Sequence, residues 1–377
     1  MTNGPTQQHQ LVLFIFVCGT VAILVILIQV ALSSSNLQPS SFSLLSDYVL
    51  QRNVNFQLWR AVQRPPTNQA NGSMLILIFF VRFSYSASPP VRFLTLEHLG
   101  GRLGSRMFLY ASLYGIARHN RLRPFYSSTN AAVRSLNESW QLRLVGHCDD
   151  VENVTRFPHV HERKPHTVNK RYHTLPRDIN QSYTGYFATY GYWRPYAIEI
   201  RREFRRFRAH VAQQCESELR RLLAVAPGTV TNCTLVGVHC RRGDFALPQK
   251  IRYGHWPADS EYVRRAMQYY RHRLQSNTSA CLQFLVFGNE PHWNNEKFGN
   301  ATDVTIVGLH EQRDEVMDMC IMAQLNHSIV TTGTYSWMSG FLTGGTVVYQ
   351  KTYARVGSTL SKTYNASDFF PAEWIPL

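Results

Sequence analysis

Leu235–Phe245 reads LVGVHCRRGDF. The first four residues, Leu235–Val238, are apolar with a glycine among them, as in a strand covered on both faces of a parallel sheet. The run stops at His239, Cys240, Arg241, Arg242, Gly243 and Asp244. Ligands of open α/β sheets sit just beyond the carboxyl ends of strands. Two arginines before a turn glycine at such an end read as an anion seat, because guanidinium is planar, permanently charged and able to grip phosphate in two places. The same residues would also serve as a surface ion-pair cluster. The neighbouring stretches have to decide.

Downstream the pattern repeats. Asp259–Leu274 has helical spacing with Asp259 or Ser260 as its cap. Leu282–Phe287 is a second buried strand, with Asn289 and Glu290 at its carboxyl end. Thr305–Val307, Asp314–Gln324 and Ser328–Val330 continue as strand, helix and strand. Thr331–Met338 then opens an apolar helix, and Thr346–Tyr349 is a last strand. Such alternation predicts a doubly wound α/β sheet. Upstream, Val91–Leu96 reads as a strand, Glu97–Ser105 as a glycine loop and Arg106–Arg118 as a helix. Gly101, Gly104 and Ser105 thus stand where helix amides can meet an anion, or where strand and helix simply pack closely. Three strand–turn–helix junctions result: Gly100–Ser105, His239–Asp244 and Thr331–Trp337.

The chain has 377 residues, 44% hydrophobic and 17% charged, which is globular composition with room for two domains. Its net charge of +15 allows nucleic acid, an anionic surface or an acidic substrate as partner. Leu11–Leu32 is uncharged over 22 residues, long enough to span a bilayer and too long for a signal peptide. Asn-x-Ser/Thr occurs at Asn71, Asn137, Asn153, Asn180, Asn232, Asn277, Asn300, Asn326 and Asn365. Together these predict a cytosolic tail over 1–10, a transmembrane signal anchor over 11–32, a Ser-rich stem over 33–90 and a glycosylated lumenal body. Nucleic acid is then excluded. Outside the anchor's Cys18, six cysteines permit up to three disulfides.

Metal chemistry has little support. No Asp-x-Asp and no Cys-x-x-Cys occurs. His159 and His161 lie two apart, but no further ligand is spaced for a tetrahedral site, so His159–His166 reads as a solvated loop. Ser182–Arg208 begins aromatic and becomes a basic helix expected to pack through Ile198, Phe204 and Phe207. Met74–Phe83 is too short to span a membrane and reads as a buried strand. Two α/β domains, 91–230 and 231–377, with a diphosphate seat between them suit a metal-free glycosyltransferase. Arginine would there stabilise the departing nucleoside diphosphate.

GGRLGSRMFLYASLYGIAR, GYFATYGYWRPYAIEIRREF, VGVHCRRGDF, FLVFGNEPHW, TTGTYSWMSGFL and FFPAEWIPL follow one another in that order. Together they resemble the α-1,2-fucosyltransferases of glycosyltransferase family 11, in a divergent, nematode-like form, over Phe93–Leu377. The resemblance implies a single-pass type II Golgi membrane enzyme with a GT-B-like fold of two Rossmann-like domains. It implies GDP-fucose as donor, the 2-hydroxyl of a galactoside as acceptor, inversion at fucose, and no cofactor or metal. The body, 91–230 and 231–377, then divides into an acceptor side and a GDP-fucose side, and assembly into a homo-oligomer is left open. Arg241 resembles the family's donor-phosphate ligand, Arg242 its support and His239 a neighbour that orients the seat. Gly243 and Asp244 would form the turn, with Asp244 pairing an arginine. Thr334, Ser336 and Trp337 would line the phosphate or fucose side, and Asn289 and Glu290 would touch the guanosine. The family's loop reads Gly-x-x-Gly-Asn-Gln, whereas here Ser105 and Arg106 follow Gly104. That departure keeps open a catalytically silent GDP- or glycan-binding relative. No carboxylate follows the arginines within Phe245–Gln249, so Asp259, Glu261 and Glu97 are the nearest candidate bases.

Overall fold

The computed structural model describes residues 11–18, 21–29, 58–63, 74–82, 92–98, 101–127, 131–148, 159–162, 164–224, 226, 233–275, 281–310 and 314–377. They fall in two compact units, Met1–Pro90 and Val91–Leu377. In the first unit β1 (Leu11–Cys18), β2 (Val21–Gln29), β3 (Leu58–Gln63) and β4 (Met74–Arg82) form an antiparallel sheet in the order β1-β2-β4-β3. The strand expected over Met74–Phe83 is described over Met74–Arg82. The spanning helix predicted over Leu11–Leu32 is not shown. Leu11 to Cys18 pair with Ile28 to Val21 instead, and no helix among the described residues is long and apolar enough to cross a membrane. An uninterrupted apolar run has no periodicity to separate helix from strand, and this one is rich in Val, Ile and Phe. The tail 1–10 and most of the stem lie outside the described residues.

Two parallel sheets build the second unit. One contains β5 (Phe93–His98), β6 (Arg123–Ser127), β7 (Gly146–Cys148), β8 (His159–His161) and β9 (Gln181–Gly185), in the order β7-β6-β5-β9-β8. Helix α1 (Leu103–Asn120) follows β5, and α2 (Ala131–Ser139) follows β6. Helices α3 (Ala197–Phe204) and α4 (Ala209–Ala224) lead on to the second sheet. That sheet contains β10 (Thr234–Cys240), β11 (Leu282–Gly288), β12 (Val304–Ile306), β13 (His327–Val330), β14 (Val347–Tyr349) and β15 (Ile375–Pro376). Its helices are α5 (Pro248–Tyr253), α6 (Ser260–Gln275), α7 (Pro291–Phe298), α8 (Glu315–Gln324) and α9 (Thr334–Thr343). The strand order is β12-β11-β10-β13-β14-β15, so by sequence rank the strands run 3-2-1-4-5-6, the Rossmann order. The boundary expected at 230/231 falls within 227–232, outside the described residues.

Strand β10 is central, in parallel register with β11 on one side and β13 on the other. Its apolar residues bury on both faces, which is why it reads as an unbroken run. Asp259 caps α6 by accepting from the Glu261 N–H at 3.0 Å, and Asp314 caps α8 through Val316 at 2.9 Å. Helix α1 is buried nearly all round rather than along one stripe. One cluster joins it to α9 and to the C-terminal Phe369, Phe370 and Trp374. Helix α3 packs through Ile200 and Phe204, while the predicted anchor Ile198 is 75% exposed. Residues 200 and 204 share a helical face, and 198 lies on the other one.

Disulfides join Cys215 to Cys320 and Cys233 to Cys281, and Cys240 is a buried free thiol. The first ties α4 to α8; the second ties the starts of β10 and β11. Among the sequons, Asn71, Asn153, Asn232 and Asn277 lie outside the described residues. Asn300 is exposed and Asn137 is half-buried. The Asn180 side-chain oxygen accepts from the Phe93 N–H at 3.0 Å.

Candidate active site

A cleft of about 610 Å³ opens at the carboxyl ends of both sheets. In the second sheet, the order in which strands are added switches sides between β10 and β13, and Arg241 and Thr332–Thr334 leave those strands into the cleft. In the first sheet the corresponding neighbours are β5 and β9, which supply Gly101–Ser105 and Tyr186. Both halves therefore present their topological switch points to one space, where open α/β sheets bind ligands.

Two helix N-termini meet there. Helix α1 starts at Arg102 and α9 at Gly333, and neither has a side-chain cap. Gly333 has φ 94°, a left-handed value suited to glycine. A Cβ on Gly104 would lie 2.3 Å from the Tyr335 backbone nitrogen, so only glycine lets the first turns touch. Ser105 Oγ and Thr334 Oγ1 share a hydrogen bond of 3.2 Å across this contact. Uncapped first-turn amides carry partial positive charge and suit a phosphate.

Arg241 completes the seat. Its side chain is 14% exposed and pairs through Nη2 with Asp244 Oδ1 at 2.5 Å. The guanidinium lies over the Phe245 ring at 5.2 Å. Burial, with Arg102 adding to it, lowers its pKa, while Asp244 and Glu315 act the other way. The Arg241 N–H donates to Thr331 Oγ1 at 2.9 Å, and that hydroxyl donates to the His239 carbonyl at 2.9 Å. Arg102 and Lys250 add positive charge to the cleft, and Glu315 pairs with Arg102 at 3.2 Å.

Arg242 does not join Arg241. Its Nε donates to Glu290 Oε2 at 2.9 Å, its Nη1 to the Ala258 carbonyl at 2.9 Å, and its guanidinium covers Trp293 at 4.2 Å. Adjacent residues leaving a strand point to opposite sides, so one arginine faces the cleft and the other the flank of the sheet. Asn289 and Glu290 hold the turn: Asn289 Oδ1 accepts from the Arg242 N–H at 3.0 Å and Glu290 Oε1 from the Gly243 N–H at 2.8 Å. Gly243 has φ 50°, and a Cβ there would lie 2.0 Å from Asn289 Nδ2. Asp244 lines the cleft; Asn289 and Glu290 do not.

Three further candidates are buried and do not line the cleft. His239 is buried against Tyr335, 4.8 Å between ring centres, and its Nδ1 has no partner. Burial and then Arg241 hold it neutral, with a pKa lowered to about 3. Ser336 Oγ accepts from the Thr331 N–H at 2.9 Å and is fully buried. Trp337 is core: its Nε1 donates to the Phe369 carbonyl at 2.9 Å, and its ring packs on Phe108, Trp193 and Trp374. Of the Thr334, Ser336 and Trp337 set, only Thr334 reaches the cleft. The candidate bases Asp259, Glu261 and Glu97 do not line it either. Among the described residues no group of three His, Cys, Asp or Glu gathers to hold a metal ion.

Residues the sequence left unassigned fill the remaining wall. They include Tyr186, Phe245, Tyr253, His255, Tyr353 and His166, the last from the stretch read as a solvated loop. Nothing local marks them, because they converge from separate loops. Below Tyr186 the carboxyl of Glu162 accepts the Phe187 N–H at 2.7 Å, and burial raises its pKa to about 7. It steadies Phe187, whose φ is 45°.

Residues 73–377 match the profile of Glycosyl transferase family 11. Galactoside alpha-(1,2)-fucosyltransferase 1 of Homo sapiens is 28% identical over 276 residues, 73% of this chain and 72% of that one. Galactoside alpha-(1,2)-fucosyltransferase 2 of Sus scrofa is 27% identical over 296 residues, 77% of this chain and 81% of that one. Among solved structures, fucosyltransferase NodZ from Bradyrhizobium superposes with a TM-score of 0.41 at 13% identity, over 66% of this chain and 92% of that one.

Proposed function

From the premise that the chain belongs to glycosyl transferase family 11, we propose that it moves L-fucose from GDP-fucose to the 2-hydroxyl of a galactoside on a glycan. The observation that carries the reading is the convergence of Arg241 with two uncapped helix N-termini in one cleft. The diphosphate lies against these groups. As the bond from fucose C1 to the phosphate oxygen lengthens, negative charge gathers on the leaving phosphate. Arg241 and the first-turn amides are already aimed at that charge, so they stabilise the transition state more than the ground state. The acceptor oxygen attacks from the opposite face and inverts C1. The half-exposed rings of Tyr186 and Tyr253 offer apolar faces to the acceptor sugar.

In this reading the fold is GT-B-like, with residues 91–230 on the acceptor side and 231–377 on the GDP-fucose side. Ser105 bonds to Thr334 and Arg106 Nη1 to Ser135 Oγ at 2.7 Å. The two residues that depart from the family's loop thus tie α1 to α9 and to α2. A type II Golgi topology belongs to the same proposal, supported by the uncharged run Leu11–Leu32 and the nine sequons. Shortening by an N-glycosidase and protease protection in sealed vesicles test that topology.

The activity test is direct. The full-length chain, incubated with GDP-fucose and a panel of galactosides in EDTA, is expected to yield a 2-linked fucoside. GDP binding without transfer to any galactoside would instead make this a silent donor-binding relative.

A further inference from the structure

The cleft holds two imidazoles that the donor seat does not use. His255 follows α5 and stacks on the Phe245 ring, 4.2 Å between centres and 26° between planes. The same ring carries the Arg241 guanidinium, so the histidine stands one ring away from the phosphate seat. Tyr253 flanks it at 5.4 Å. His166 arrives from the other sheet, beyond β8, with Phe369 at 5.6 Å and Tyr353 at 6.4 Å. Both rings line the cleft, and Nδ1 of each is shut from water with no hydrogen-bond partner. The cleft's carboxylates are already committed, Asp244 to Arg241 and Glu315 to Arg102.

Resting on the fucosyltransferase reading, we propose that His255 accepts the proton of the incoming galactose hydroxyl. The acceptor oxygen forms its bond to fucose C1. The bond from C1 to the phosphate oxygen breaks, and its electron pair leaves with GDP. The hydroxyl proton passes to the imidazole and then to water as product departs.

The surrounding charges fit this timing. Burial holds both rings unprotonated, with pKa values near 4. Around His255, Lys250 and Arg241 oppose protonation and Asp244 favours it. Around His166, burial and then His255 oppose protonation. Tyr253 and Tyr353 complete the setting. A bound diphosphate would answer the charges of Arg241 and Lys250. The ring's pKa then rises toward working pH, where a general base is most effective. Base strength thus arrives with the donor.

Three measurements test this on the full-length chain with GDP-fucose and a galactoside. His255→Gln is expected to lower kcat by about 10²–10⁴-fold and to remove the acid limb of the kcat–pH profile. Calorimetry with GDP should leave Kd within about threefold of the parent, because the diphosphate seat is intact. The parent itself must lose kcat toward acid through one protonation, which checks the proposal even if a variant fails to fold. An unchanged kcat in His255→Gln, loss of GDP affinity alongside kcat, or a parent profile flat between about pH 4 and 7 would each overturn it. No fucose transfer by the parent would instead overturn the functional reading on which it rests.

Discussion

Replacing Arg241 with alanine separates chemistry from stability. In the fold the guanidinium contributes one ion pair, to an Asp244 that is 45% exposed, and one ring contact, to Phe245. A pair so open to solvent contributes about 0–1 kcal/mol, and the ring contact about 0.5–1 kcal/mol. The expected loss of stability is therefore about 0.5–2 kcal/mol, a Tm shift of a few degrees in a domain of this size. In the site the loss is larger. One guanidinium nitrogen is committed to Asp244, and the rest of the fork faces the cleft. Two charge-assisted bonds to a diphosphate, at about 1.5–3 kcal/mol each, put the cost at about 3–6 kcal/mol. Shared between donor binding and turnover, that lowers kcat/KM by about 10²–10⁴-fold. GDP release followed by chromatography, with GDP titration calorimetry and a thermal melt on the same preparation, reads all three quantities. A folded Arg241→Ala protein with kcat/KM and GDP affinity within about threefold of the parent would refute the anion-seat argument outright. Arg242→Ala supplies the contrast. It breaks the contacts to Glu290, Ala258 and Trp293 outside the cleft, so it should lower Tm more than Arg241→Ala and kcat less.

Gly104→Ala should force α1 and α9 apart at Tyr335, giving an insoluble protein or one that has lost GDP affinity, as read by calorimetry on the soluble fraction. Glu162 binds its proton more tightly folded than unfolded, so its contribution to stability is full below about pH 4.5 and fades as pH rises through about 7. Glu162→Gln should therefore gain stability relative to the parent across that window, by up to about 3 kcal/mol, measured by urea titration; an unchanged difference between pH 4.5 and 7.5 contradicts the assignment. His239, His166 and His255 act in the opposite sense, being harder to protonate when folded, so the parent should lose stability as pH falls from about 6.5 toward 4. The Cys215–Cys320 bond closes a loop of 105 residues, so the Cys215→Ser, Cys320→Ser pair should lose about 3–5 kcal/mol, and non-reducing peptide mapping should recover that bond and Cys233–Cys281.

Much of the second unit is legible because its signals are local. An apolar run ending in charge is β10, and Asp259, one of the two caps the sequence offers, caps α6. The arginine pair was legible as a feature but not in its division of labour. Only the alternation of side chains at the strand end sends Arg241 to the cleft and Arg242 to Glu290. Ser336 and Trp337 belong to a motif that is real, yet helix geometry turns them into the core and leaves Thr334 facing out. His166 and His255 are over eighty residues apart and carry no shared pattern, so no window of sequence could join them. Leu11–Leu32 shows the converse limit, since uniform apolarity names burial but not the backbone that achieves it.

The meeting of α1 with α9 has a further consequence. Gly104 follows a strand of the first sheet and Tyr335 a strand of the second, and both line the cleft where they touch. Nucleotide affinity is then a gauge of whether the two halves have found each other. GDP should act on partly assembled or mutationally weakened chains as a pharmacological chaperone, favouring the docked form in proportion to its concentration.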